Sequence, residues 1–170
     1  DALYELQTTL GHSFVRIELL IEALTHSSAL NEWRGNHSHN ERLEFLGGSV
    51  LDLLISEYLM SEFQEVDEGI LSKMKARLVG KDTLAALSRS LSLGSYLFLG
   101  RGEELNDGRQ NPSILADTLE AVIAAVYLDG GLSSARRLVL NVYREKFNLL
   151  NSNGQKTDDK SQLQELCQRR

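Results

Sequence analysis

Cysteine occurs once in this 170-residue chain, at Cys167, and proline once, at Pro112. A lone cysteine excludes an internal disulfide and fits a reducing compartment, so a cytoplasmic location is expected. No apolar run approaches the length of a membrane span, and no signal-peptide pattern opens the chain, so no membrane role is expected. There is no internal repeat and no low-complexity segment. Basic residues are outnumbered, with 18 Lys+Arg against 24 Asp+Glu for a net charge of −6. That balance argues against a plain nucleic-acid binder, which normally shows a basic footprint. The objection weakens if several acids are gathered to hold cations, because a bound divalent ion reverses the local field.

What is present is an ordinary globular composition, 42% hydrophobic and 25% charged, long enough for one domain plus a fragment of another. Apolar residues recur at helical spacing almost throughout, which predicts an all-α architecture. Helices are expected near residues 19–24, over 40–61, from a cap at Asp67 to about 79, over 81–91, from a cap at Ser113 to 128, and over 132–150. Residues 31–39 read as a polar loop, 94–110 as a glycine-rich loop, and Asp129-Gly130-Gly131 as a helix stop. The domain boundary is placed at 150. Residues 151–159 have linker composition, and 160–170 begin a second module.

The most informative stretch runs Asn40-Glu41-Arg42-Leu43-Glu44-Phe45-Leu46-Gly47-Gly48-Ser49-Val50-Leu51. At about 100° per residue, Glu41, Glu44 and position 48 fall within roughly 60° of one another, apart from a stripe of Leu43, Leu46, Val50, Leu53 and Leu54. The helix from Ser113 places Asp117 and Glu120 on one edge in the same way, opposite Leu119, Val122 and Val126. Such i, i+3 acids are usually only a solvated face. Two acidic edges from two helices can also hold a hard cation such as Mg²⁺, which takes oxygen ligands, activates water and steadies a leaving oxygen.

This stretch resembles the signature of the ribonuclease III family, which normally has aspartate where this chain has Gly48. Thr25-His26, Val66-Asp67-Glu68-Gly69, Leu99-Gly100-Arg101-Gly102-Glu103-Glu104 and Asn111 to Ala121 are similar to its other motifs, in the family's order. Lys160-Ser161-Gln162-Leu163-Gln164-Glu165 resembles the opening of the double-stranded-RNA-binding domain that follows the nuclease domain in bacterial members. The resemblance implies a helical homodimer that hydrolyses double-stranded RNA with Mg²⁺, with Mn²⁺ as a substitute. The products would carry 5′-phosphates, 3′-hydroxyls and short 3′ overhangs. It implies metal ligation by Glu44, Asp117 and Glu120, with Glu41 and Glu68 as supporting acids. Phe45 would enter a pocket on the partner, and Gln164 would contact RNA.

Position 48 is the departure. A glycine in a helix interior costs about 0.5–1 kcal/mol relative to alanine. Gly47 fits the family pattern, whereas Gly48 removes a carboxylate from an otherwise intact set. An introduced change that blocks cleavage, a natural loss that leaves a non-catalytic duplex-RNA-binding dimer, and a site still turning over slowly all fit the sequence.

The remaining polar residues carry weaker signals. Lys73, Arg77 and Lys81 are spaced i, i+4, i+8, and Arg101 and Arg109 bracket a loop. Beside an acidic metal cleft, all five become candidate phosphate anchors. His37 and His39 form an H-x-H pair without a third ligand at persuasive spacing, so RNA contact or solvent exposure is expected rather than zinc. His26 is expected to make structural hydrogen bonds.

Overall fold

The computed structural model describes residues 2–32 and 38–154. Its helices are α1 (Ala2–Leu10), α2 (Ile17–Ala23), α3 (Glu41–Glu62), α4 (Glu68–Leu78), α5 (Lys81–Ser90), α6 (Arg101–Leu105), α7 (Pro112–Val142) and α8 (Arg144–Gly154). Among the described residues the β pairing is limited to one parallel bridge between Thr25 and Phe98. No described helix is long and apolar enough to cross a membrane.

The all-α expectation holds. The most extensive contact is α3 against α7, and α5 and α2 pack on α7 as well. Val122, Ala124, Ala125 and Val126 are completely buried, so α7 is a central helix covered on several sides. On α3 the buried side runs through Leu43, Val50, Leu51, Leu54 and Ile55. Leu53, assigned to the core stripe from the sequence, is instead 47% exposed.

Several boundaries differ from the sequence reading. Ser113 does not cap α7; Asn111 does, its side-chain oxygen accepting from the Ser113 N–H at 2.9 Å. Pro112 takes the first helical position, where a missing N–H costs nothing, so the cap must precede it. The 94–110 loop contains α6 and two 3₁₀ turns, Leu93–Tyr96 and Gly108–Gln110. At Gly131 (φ 75°, ψ 180°) the backbone leaves the helical region, so α7 is two helices joined across a kink and the stop read at Asp129-Gly130-Gly131 holds. Asp129 fixes that corner by accepting from the Val15 and Arg16 N–H groups and from His12. The 132–150 segment is broken at Tyr143, whose hydroxyl donates to the Leu78 carbonyl at 3.0 Å. α8 runs to Gly154, so residues 151–154, assigned to the linker, are helical. Helix α1 carries too short an apolar pattern to have been predicted, with Leu6 and Leu10 its buried residues.

Candidate metal centre

Glu44 lies in the first turn of α3, and Asp117 and Glu120 lie near the start of α7. One carboxylate oxygen from each lies within 4.8 Å of the other two. Gly47 allows this approach. A Cβ at that position would stand 1.9 Å from the Glu120 carbonyl oxygen, so only glycine lets the two backbones come so close.

The three acids are crowded and partly desolvated. Burial, followed by the charges of Glu44, Asp117 and Asp52, raises Glu120 to about 7. Burial also raises Glu44, with Asp117 and Glu41 adding to it. Asp117 is raised by burial although His26 and Lys81 pull it down. Like charges held together out of water favour protonation unless a cation neutralises them. Three oxygen donors at this spacing could hold a hard divalent cation, with waters in its remaining positions.

Position 48 faces this cluster. A Cβ built on Gly48 would lie 3.1 Å from Glu120 Oε1, the mobile tip of a side chain rather than backbone. A carboxylate there would therefore join the other three.

The other sequence-predicted residues are dispersed. Glu41 is exposed, with His39 Nδ1 3.9 Å from its Oε1. His37 and Gln164 lie outside the described residues. Glu68 is not with the trio of its own chain. It accepts from the Ser72 hydroxyl at 2.6 Å and lines a cavity of about 160 Å³ with Leu59, Met60, Leu71 and Lys75. The basic strip is not continuous, because α4 ends at Leu78 and Gly80 is extended, so Lys81 belongs to a different helix from Lys73 and Arg77. Lys73 and Arg77 are exposed, and Lys81 Nζ reaches Ser113 Oγ at 3.4 Å. Arg101 is exposed, and its backbone N–H donates to Glu32. Arg109 is engaged internally, by both carboxylate oxygens of Glu104 and by the Gly94 carbonyl at 2.8 Å. Phe45 is 82% exposed.

Two contributors escaped the sequence reading. Asp52 lies one turn beyond position 48 on the edge that carries Glu44, a spacing that was visible. His26 acts on Asp117 from a different segment, so no spacing could reveal it. Its expected structural role also holds, since Nδ1 is bonded to Ser28 Oγ at 2.8 Å.

The Ribonuclease-III-like family model matches residues 16–147. The chain is 47% identical to Ribonuclease 3 of Oleidesulfovibrio alaskensis, covering 97% of this chain and 72% of that protein. Ribonuclease 3 of Geobacter metallireducens is also 47% identical, over 98% of this chain and 68% of its own length. The nuclease domain of ribonuclease III from Campylobacter jejuni superimposes with a TM-score of 0.78 at 41% identity, over 85% of this chain and 97% of that one. That structure is described in terms of a flexible region involved in its dimer formation. A Dicer from Pichia stipitis superimposes with a TM-score of 0.61 at 26% identity, over 82% of this chain and 59% of that one. The chain belongs to the ribonuclease III family. It carries that family's nuclease fold around an acidic cluster able to hold a metal ion.

Proposed function

We propose that this domain is the catalytic part of a Mg²⁺-dependent endonuclease for double-stranded RNA, acting as a homodimer in RNA processing and impaired here by Gly48. The observation that carries the proposal is the Glu44–Asp117–Glu120 cluster with position 48 facing it. Mg²⁺, or Mn²⁺ in its place, would be held by those three carboxylates; it lowers the pKa of water and offsets charge developing on the phosphate. In the reaction a water oxygen bonds to phosphorus as the P–O3′ bond breaks. The electron pair goes to O3′, which takes a proton, leaving a 5′-phosphate and a 3′-hydroxyl. Glu44, Asp117 and Glu120 fix the geometry of that step, and Glu41 adds negative field at the rim. Lys73, Arg77, Lys81 and Arg101 are assigned to phosphate contacts. Arg109 is assigned to shaping its loop, since its guanidinium is already engaged.

Phe45, Leu53 and Met60 are exposed on one side of α3, which supports a two-fold dimer through that helix. The cavity beside Met60 lies roughly 22 Å along α3 from Phe45, about 15 residues at 1.5 Å each. Antiparallel pairing of two α3 helices seats each Phe45 in the partner's cavity. It also brings Glu68 of the partner subunit towards Glu41 and Glu44, a route by which Glu68 supports the site. Paired sites facing two strands would give staggered cuts. The linker up to 159 and an RNA-binding module beginning at 160, with Gln164 in contact with RNA, remain part of this proposal, as does a cytoplasmic location inferred from the single cysteine.

A second reading, a non-catalytic duplex-binding dimer, is favoured by Gly48 alone. Cleavage of end-labelled duplex RNA in Mg²⁺ separates the two. Losing one group aimed at the transition state typically costs about 10²–10³ in rate. Gly48→Asp is therefore expected to raise cleavage by at least that factor, and Glu120→Gln added to it should abolish the gain. If the unsubstituted chain cleaves as fast as Gly48→Asp, position 48 is not part of the catalytic set.

A further inference from the structure

We infer that Lys81 is a catalytic residue whose ammonium contacts the scissile phosphate, in addition to any part in anchoring the duplex. The inference rests on the endonuclease reading above and adds a cationic partner to a site otherwise built of acids.

Lys81 is the first residue of α5, directly after the extended Gly80. A cation in the first turn opposes the helix dipole, so its position brings no local gain. It reaches across to α7 instead, where Nζ lies 3.4 Å from Ser113 Oγ. Ser113, Asp117 and Glu120 are spaced i, i+4, i+7 and share one edge of α7. The ammonium therefore stands about one turn, roughly 6 Å, from Asp117 along the helix. Its charge is felt there, acting against burial on the Asp117 carboxyl.

Two other cations already have acidic or carbonyl partners, Lys75 at Asp52 on the edge of the cluster itself. Arg109 is held by Glu104 and Gly94, and Lys75 lies 3.9 Å from Asp52. Lys81 is exposed, and its bond is to a neutral hydroxyl at the long end of the hydrogen-bonding range. A flexible four-carbon stem lets the ammonium exchange that hydroxyl for a phosphate oxygen. A phosphodiester seated over the three carboxylates would bring a non-bridging oxygen within the reach of the Lys81 side chain. Negative charge on that oxygen changes as water adds and the P–O3′ bond breaks, and a fixed cation there stabilises the transition state. Lys81 takes and gives no proton in this step.

Two measurements test the assignment, with Lys146→Met on α8 as the control. In the Gly48→Asp protein, Lys81→Met should lower kcat by about 10- to 100-fold at saturating duplex, over and above any weakening of KM and of the duplex Kd in Ca²⁺ from the lost phosphate contact. In the unsubstituted chain, where no cleavage is needed, Lys81→Met should tighten Mn²⁺ binding severalfold by removing a cation from beside Asp117. Lys146→Met should alter neither quantity. A Lys81→Met enzyme with full kcat, or a defect confined to KM and Kd, overturns the catalytic role. Unchanged Mn²⁺ affinity overturns the placement beside Asp117. Failure of the Gly48→Asp protein to cleave at all, with Mn²⁺ still bound, overturns the endonuclease reading itself and with it the role of Lys81.

Discussion

Gly47 and Gly48 are neighbours in one helix, yet replacing each by alanine should shift stability in opposite directions. At Gly47 the new Cβ would stand 1.9 Å from the Glu120 carbonyl oxygen and 2.5 Å from its carbon. These are backbone atoms and cannot swing aside, so α3 and α7 must separate by roughly 1.5 Å to reach ordinary contact in a close-packed core. Overpacking costs about 1–3 kcal/mol, and a backbone clash belongs at the upper end. Alanine returns about 1 kcal/mol through helix propensity. The net loss of about 2 kcal/mol corresponds to a Tm lower by roughly 4–8 °C for a chain of this size. At Gly48 the nearest atom is the Glu120 Oε1 at 3.1 Å, which is free to tilt, so the propensity gain dominates and Tm should rise by roughly 2–4 °C. Thermal melts by far-UV circular dichroism in EDTA, at one fixed protein concentration, read both. A Gly47→Ala protein that melts at or above the parent temperature would refute the close-approach explanation.

Glu120 should make the metal-free fold pH-sensitive. Its folded-state pKa is raised from 4.5 to about 7, so ionisation across that window costs stability, and the loss grows as pH rises. Glu120→Gln should therefore melt higher than the parent at about pH 8 in EDTA, and Mg²⁺ should stabilise the parent more at that pH than at about pH 5; identical Mg²⁺ shifts at both pH values would contradict this. Asp129 has the opposite sign. Burial raises its pKa, but the Arg16 N–H, His12 and the Val15 N–H together bring it below the usual value, so its contribution is present above that value and fades as pH falls through the folded pKa. With its side chain 1% exposed but Arg16 half exposed and the Val15 and Arg16 N–H groups open to water, Asp129→Ala should cost about 1–3 kcal/mol in urea denaturation, and no measurable loss would show that the corner at Gly131 holds without it. Phe45→Glu should shift the dimer to monomer in sedimentation, because a charge would enter a buried contact; an unchanged dimer counts against the α3 interface.

The helices were legible where the apolar period was long and the boundary chemistry local. α3 and the first half of α7 are of this kind, and so are the acidic edges they carry, because i, i+3 spacing puts residues on one face wherever the helix packs. What was not legible depends on contacts between segments. The purpose of Gly47 is visible only once Glu120 lies against it. His26 comes near enough to act on Asp117 only through the fold, and Glu68 was grouped with the acids by motif although its own chain places it at the far end of α3. Lys81 looked like the third member of a helical strip until Gly80 turned the chain between α4 and α5. Arg109 looked like a surface cation because nothing in its spacing announced Glu104 and the Gly94 carbonyl as its partners.

Metal affinity and fold stability are in opposition at this site. Gly47 draws α3 and α7 together, and the closeness that buries the core also confines Glu44, Asp117 and Glu120 with one another. Burial raises all three carboxyls, with the charges of Asp117 and Glu41 adding at Glu44 and those of Glu44, Asp117 and Asp52 at Glu120, so their ionisation destabilises the folded state until a cation arrives. A fourth carboxylate at position 48 would sharpen both effects, weakening the metal-free fold and strengthening its response to a divalent ion. Gly48 relaxes the crowding and lets Glu120 occupy the space a side chain would have taken. A functional site that strains the fold is where loss of one ligand gains stability while costing activity. On the proposed reading, glycine at 48 exchanges a carboxylate's contribution to the metal site for relief of that crowding in the metal-free fold.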